Sequence, residues 1–276
     1  MSGEGTVVTA PVAPLWGELR YSAELVRLLS DGGLRSPRRR EDAPPVLLVP
    51  GFMAGDSSLS IMREWLRRRG HRVASAGMLA NVDCAGRIVS RLQVQLRELA
   101  LSAGEPVVLI GQSRGGALAR ALAVREPGAV AAVATLGSPV LDPLAVSTPV
   151  LRTVRMLARL GDLRVPGLFS SRCRDGDCCA SFREEQTAAL APHIRALAFH
   201  SRSDAIVDWR ACLDPHGEQV EVASSHCGMS VHPEVYRVLD DFLEAGMERR
   251  PISKAGMERR PISKAGTERR PISKTP

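Results

Sequence analysis

No apolar run in this 276-residue sequence approaches the roughly 20 residues needed to cross a bilayer. The amino terminus, Met-Ser-Gly-Glu-Gly-Thr-Val-Val, lacks a basic stretch followed by a long apolar one, so no secretory leader is expected and a cytoplasmic protein is. Cysteine is scarce too. The six present, Cys84, Cys173, Cys178, Cys179, Cys212 and Cys227, are too few to serve as the disulfide scaffold of so long a chain. Cys173, Cys178 and Cys179 do cluster, a spacing open to a local disulfide or a metal. No second Cys/His pair at zinc-ligand spacing accompanies them, so neither metal nor cofactor is expected.

Basic charge is missing where a nucleic-acid-binding surface would need it. The formal charge of +7 is concentrated at residues 246–276, which hold nine Lys/Arg against three Glu and leave only +1 for the other 245 residues. No nucleic-acid partner is expected. The decapeptide Met-Glu-Arg-Arg-Pro-Ile-Ser-Lys-Ala-Gly at 247–256 recurs at 257–266 and, with Thr267 in place of Met, at 267–274. A charged repeat with Pro in every copy cannot form a core, so 246–276 reads as a disordered tail whose cations attract anionic surfaces weakly.

Hydrophobic residues, at 44%, suffice for one large globular core. Residues 107–125, Val-Val-Leu-Ile-Gly-Gln-Ser-Arg-Gly-Gly-Ala-Leu-Ala-Arg-Ala-Leu-Ala-Val-Arg, read as strand, sharp turn and helix. Gly111, Ser113 and Gly115 fit Gly-x-Ser-x-Gly, in which glycines leave room for a strained turn that lifts the serine hydroxyl clear of its neighbours. Helix dipole and free N–H groups at such a turn favour developing negative charge.

Stretches at 46–49, 71–75, 130–136, 194–200 and 219–223 read as further strands, 71–75 the weakest of them, and helical spacing recurs at 15–30, 59–69, 84–100, 151–160, from 181 and at 234–245. Strands alternating with helices predict an α/β fold, a mostly parallel doubly wound sheet covered on both faces. The expected organisation is an outlying helix and linker at 1–45, a catalytic domain at 46–245 and the tail at 246–276. Within the domain, 141–192 interrupts the alternation and reads as a helical cap insertion able to form a lid over the strand ends.

A serine hydroxyl needs a base to take its proton and an acid to orient that base. His226 follows the last strand in a turn of small residues, and Asp204 follows the strand before it. Both would emerge at the sheet edge that carries Ser113, in the chain order Ser, Asp, His. Asp208 competes for the acid role; His232 competes with His226, though its place beside Pro233 suits a helix cap better.

The stretches at 46–51, 111–115, 203–207 and 225–229 resemble the α/β-hydrolase superfamily, in particular its lipase- and esterase-like members, over about 45–245. That resemblance implies Ser113 as nucleophile, Asp204 as acid and His226 as base, with an oxyanion hole from the backbone N–H groups of Phe52 and Arg114. Many members have His-Gly where this chain has Pro50-Gly51, which keeps the backbone donor and loses the imidazole. The Arg114 side chain is expected to point to solvent. The implied activity is hydrolysis of carboxylic esters through an acyl-serine, on a small-molecule or lipid substrate, without stable membrane insertion. Two alternatives stay open, an acyltransferase using the same acyl-serine and a non-catalytic binder that keeps the fold.

Overall fold

The computed structural model describes residues 15–35 and 39–245. The extreme amino terminus and the decapeptide tail lie outside the described residues, as does part of the stretch read as a linker.

Short aliphatic runs form β1 (Val46–Val49), β2 (Val73–Ser75), β3 (Val107–Gln112), β4 (Val130–Leu136) and β5 (Arg195–His200), and the polar Glu218–Glu221 forms β6. They make one six-stranded sheet in the order β2-β1-β3-β4-β5-β6, with every pairing parallel. The helices are α1 (Tyr21–Ser30), α2 (Gly32–Arg35), α3 (Ser60–Arg69), α4 (Ala85–Ala103), α5 (Arg114–Arg125), α6 (Thr148–Asp162), α7 (Ser171–Asp175), α8 (Ala180–Thr187) and α9 (Pro233–Glu244).

Side chains alternate across a strand, so the central strands of a sheet covered on both sides are apolar on both faces. Leu47, Val49, Val107 and Leu109 join a core with Ile88, Leu92 and Leu96 of α4 and Leu118 and Leu122 of α5. Val46, Leu48, Val108 and Ile110 face a second core, built with Met62 and Leu66 of α3 and Val235 and Leu239 of α9. The sheet is thus doubly wound, as its periodicity predicts.

The helix predicted at 15–30 is not an outlier. A 3₁₀ turn at Leu15–Arg20 leads into α1, whose Leu28 is buried in the second core with Tyr21 and Leu25 against it. Spaced at i, i+4 and i+7, these residues line one stripe, and the sheet face offers that stripe somewhere to go.

Between β4 and β5 the chain leaves the sheet for α6, α7 and α8. Helix α6 starts ahead of the apolar stretch that predicts it, because Pro149 suits a first helical turn. The stem of this insertion is tied to the loop after β5, where Ser147 N–H donates to Ile206 O at 2.7 Å and Asp208 N–H to Ala145 O at 2.9 Å.

Candidate active site

Ser113 joins β3 to α5 with φ 52° and ψ −127°, a left-handed conformation that costs a non-glycine residue of the order of 1–3 kcal/mol. Close packing enforces it. A Cβ on Gly111 would come within 2.4 Å of Gly115 O, and one on Gly115 within 2.2 Å of Val49 O, so neither position accepts a side chain. Ser113 N–H donates to Leu136 O at 2.8 Å, which fastens the turn to β4.

Asp204 and His226 meet. Asp204 Oδ2 accepts a 2.7 Å hydrogen bond from Nδ1 of His226, and both residues are buried. Its Oδ1 accepts the N–H groups of Ile206 and Val207, each at 2.8 Å, so the carboxylate cannot swing away. With Nδ1 holding the proton for Asp204, Nε2 of neutral His226 is the acceptor nitrogen. Burial opposes charge on His226, but the charge of Asp204, its hydrogen bond and the charge of Glu18 outweigh it and raise the pKa above 6.5.

The loops that carry them are latched together. Ser201 and Ser203 hydroxyls donate to Ser224 O at 2.7 and 3.1 Å. Gln112 Nε2, one residue before the serine, reaches His226 O at 3.3 Å.

Asp208 is engaged elsewhere, its Oδ1 accepting Arg210 N–H at 3.0 Å to cap a 3₁₀ turn. His232 occupies the N-cap position of α9 but makes no side-chain cap bond, so the expected capping is not found. His71 bonds Pro44 O at 2.8 Å, and burial lowers its pKa to about 4.

Two residues escaped the sequence reading. Glu18 accepts the backbone N–H groups of His226 and Cys227 at 2.9 and 3.0 Å. Glu24, buried in α1, accepts Ser225 N–H at 2.9 Å and the Ser225 hydroxyl at 2.8 Å. Together the two carboxylates hold the histidine loop by its backbone. A Cβ on Gly228 would stand 1.5 Å from Glu24 Oε2, so the loop needs glycine there. The one available signal is an acid at position 24 within the apolar stripe of Tyr21, Leu25 and Leu28.

Ser113 and His226 open into one cavity of about 710 Å³, with Phe52 and Arg114 on its wall. The insertion supplies Leu144, Val146, Val150, Val154, Phe169 and Phe182 to the same wall. The backbone beside Phe52 passes close to the serine, since a Cβ on Gly51 would lie 3.2 Å from Ser113 Cβ. Arg114 begins α5, so its N–H has no acceptor within the helix.

The Arg114 side chain does not point to solvent. Its guanidinium donates to Asn81 O and Oδ1 at 2.9 Å and to Asp83 O at 2.7 Å, and lies 5.6 Å from the centre of the Phe169 ring. Burial lowers its pKa to about 10, so it stays cationic at neutral pH, with three carbonyl-type oxygens replacing water.

No protein-family model and no curated protein matches this chain. Solved structures do. The mature form of the lipase BlEst2 from Bacillus licheniformis superposes with a TM-score of 0.55 at 16% identity, over 75% of this chain and 94% of that one. The fold is that of the α/β-hydrolases. A structure described under LipS and LipT, two metagenome-derived lipolytic enzymes, gives 0.53 at 16% identity, over 76% of this chain and 100% of that one. The putative non-heme bromoperoxidase BpoC from Mycobacterium tuberculosis gives 0.50 at 14%, over 75% and 94%. The α/β-hydrolase fold is thus shared by chains with different named activities, and chemistry must be argued from this chain's own site. No helix among the described residues is long and apolar enough to cross a membrane.

Proposed function

We propose that this protein is a serine hydrolase that cleaves carboxylic esters through an acyl-serine intermediate. The observation that carries the reading is the buried 2.7 Å contact between Asp204 Oδ2 and His226 Nδ1, together with a serine held in a strained turn that lines the same apolar cavity as the histidine. Strain at a polar residue lining a cavity, with a base and its orienting acid already paired, is the arrangement acyl transfer requires.

In this mechanism Ser113 Oγ attacks the ester carbonyl as its proton passes to Nε2 of His226. Phe52 and Arg114 N–H groups receive the oxyanion, each donor stabilising the transition state by about 3 kcal/mol. The imidazolium, steadied by Asp204, gives its proton to the leaving alcohol as the C–O bond breaks. Water then loses a proton to His226, attacks the acyl carbon and releases the acid, restoring Ser113. The cavity size falls in the range of small-molecule sites, and its aliphatic and phenylalanine walls favour an apolar acyl group over a charged one.

The test is hydrolysis of a p-nitrophenyl ester series from acetate to palmitate, with Ser113→Ala as blank. Hydrolysis that depends on Ser113 is expected, and the chain length at which it peaks measures the acyl pocket. Failure of the native protein both to cleave any of these esters and to react with a serine-directed phosphonate would overturn the reading.

A further inference from the structure

Three separate segments bring four cysteines to one point. Cys84 is the N-cap residue of α4, Cys173 lies in α7, and Cys178 and Cys179 sit in the 3₁₀ turn Asp177–Cys179. Their sulfurs all lie within 4.8 Å of one another. Cys84 Sγ is 3.6 Å from that of Cys178 and 3.5 Å from that of Cys179, and Cys173 Sγ is 3.4 Å from that of Cys178. We infer that these four thiolates form a structural zinc site that pins the cap insertion to the body of the hydrolase fold.

The geometry selects a single tetrahedral ion. Zinc–sulfur bonds of about 2.3 Å place the corners of a regular tetrahedron about 3.8 Å apart, close to the spacing found. Two isolated disulfides would need no approach between the pairs, yet Cys84 meets both Cys178 and Cys179, and Cys178 also meets Cys173. An iron–sulfur cluster would spread its thiolates farther to admit inorganic sulfide. Soft, closely spaced thiolates without imidazole or carboxylate suit zinc among the common divalent ions.

The surroundings suit a centre of charge −2. Helix α4 presents its amino end, with Arg87 N–H directed at the Cys84 sulfur and Gly86 N–H at that of Cys179. Arg87 and Arg114 bring cations to the residue that precedes Cys84, bonding Asp83 Oδ1 at 3.0 Å and Asp83 O at 2.7 Å. Binding exchanges up to four thiol protons for one Zn²⁺, so charge and atoms balance. Cys84 and Cys179 are buried, which closes the site as a structural centre is closed, and Cys178 at the surface gives the ion a way in.

The spacing within 173–179 does not reveal this site, because its fourth ligand stands 89 residues upstream of Cys173. Folding supplies it through the approach of α4 to the insertion. A staple here acts on a part of the molecule that has little core of its own, since α6 buries only Ala158. Cys173 also lines the substrate cavity, so the ion would steady that wall. The inference does not depend on the proposed ester chemistry.

The test uses the full-length chain, made with zinc in the medium and purified without chelator. One zinc per chain by mass spectrometry of the elements is expected. Replacement by Co²⁺ should give the intense visible bands and the thiolate-to-metal charge-transfer band of a tetrahedral tetrathiolate site. Cys178→Ser, a change at an exposed position, should lower zinc retention at least tenfold, while Cys212→Ala should keep one zinc per chain. If Cys178→Ser does not fold, the cobalt spectrum of the native chain decides. An intact mass lower by four hydrogens with no metal, meaning two disulfides, would overturn the inference. So would four free thiols that take up neither Zn²⁺ nor Co²⁺, or iron found in place of zinc.

Discussion

Helices α5 and α6 are similar in length and opposite in how they are held. Nine of the twelve residues in α5 are buried, whereas of the fifteen in α6 only Ala158 is. Helix α5 follows the serine and is wedged between the sheet, α4 and α8, its alanines and glycines letting backbones approach closely. Arg120 is its largest fully buried side chain, with Nε and Nη2 on the two Asp214 oxygens at 2.6 and 3.0 Å and Nη1 on Ala188 O at 2.6 Å. Helix α6 instead turns Met156, Leu160 and, just beyond it, Leu163 to the outside. Its inner residues Val150 and Val154 line the cavity rather than a packed core. Ser113 therefore rests on close packing that leaves its glycine neighbours no room for a side chain, and the wall facing it rests on a few attachments at the edges of the insertion.

The sharpest way to break this comparison begins at the serine. Ser113→Ala is expected to lower kcat by at least about 10⁴-fold with far-ultraviolet circular dichroism unchanged, since it removes the hydroxyl proposed as nucleophile while alanine keeps the same Cβ in the turn and adds no new strain. Residual turnover near the native rate would mean that the site lies elsewhere.

Asp204→Asn is expected to cost about 10³- to 10⁴-fold in kcat/KM, because His226 loses the partner that fixes its tautomer. The pH profile carries the sign. The base must be neutral, and His226 has a raised pKa, so activity of the native protein should fall on acidification with a midpoint above 6.5. Removing the Asp204 charge takes away the principal raising influence, and the residual activity of the variant should fall at a lower pH than that of the native protein. The same raised pKa makes the ion pair a stabilising contribution that is complete below about 6.5 and is lost as pH climbs through the folded value.

Arg120→Ala tests the packed side of the comparison. It strands Asp214, which is 2% exposed, and should cost about 3–5 kcal/mol in urea unfolding. Glu24→Ala should cost less, about 1–3 kcal/mol, by leaving Ser225 N–H and its hydroxyl without their acceptor. Its additional mark is a fall in kcat, because the histidine loop loses a support. The smallest effect belongs to the other side. Met156→Ala, at a position 54% exposed on α6, should change stability by less than about 0.5 kcal/mol. A large loss there would show that α6 is covered by something and would dissolve the contrast.

Much of the fold was legible because it is written in local patterns. The buried strands announce themselves as aliphatic runs between turn residues, and Gly-x-Ser-x-Gly announces the turn because only glycine fits where Gly115 meets Val49 O at 2.2 Å from a would-be Cβ. The positions of Asp204 and His226 shortly after the ends of β5 and β6 were legible too. Less legible were the features whose partners lie far along the chain. Arg114 reads as a surface cation until the loop at 81–83 offers it three oxygens. Glu18 and Glu24 read as ordinary helix acids until the loop at 225–227, some 200 residues away, presents its N–H groups to them.

The sequence by itself determined the alternation of strands and helices, the strained serine turn and the chain order of Ser113, Asp204 and His226. Those follow from side-chain periodicity and backbone sterics, which act between near neighbours. Only the tertiary structure decided that Asp204 and His226 share a hydrogen bond, that the amino-terminal helix holds the histidine loop, and that Cys84 joins Cys173, Cys178 and Cys179. Charge pairing and sulfur clustering depend on distance through space, and chain spacing does not encode that distance until the core has closed.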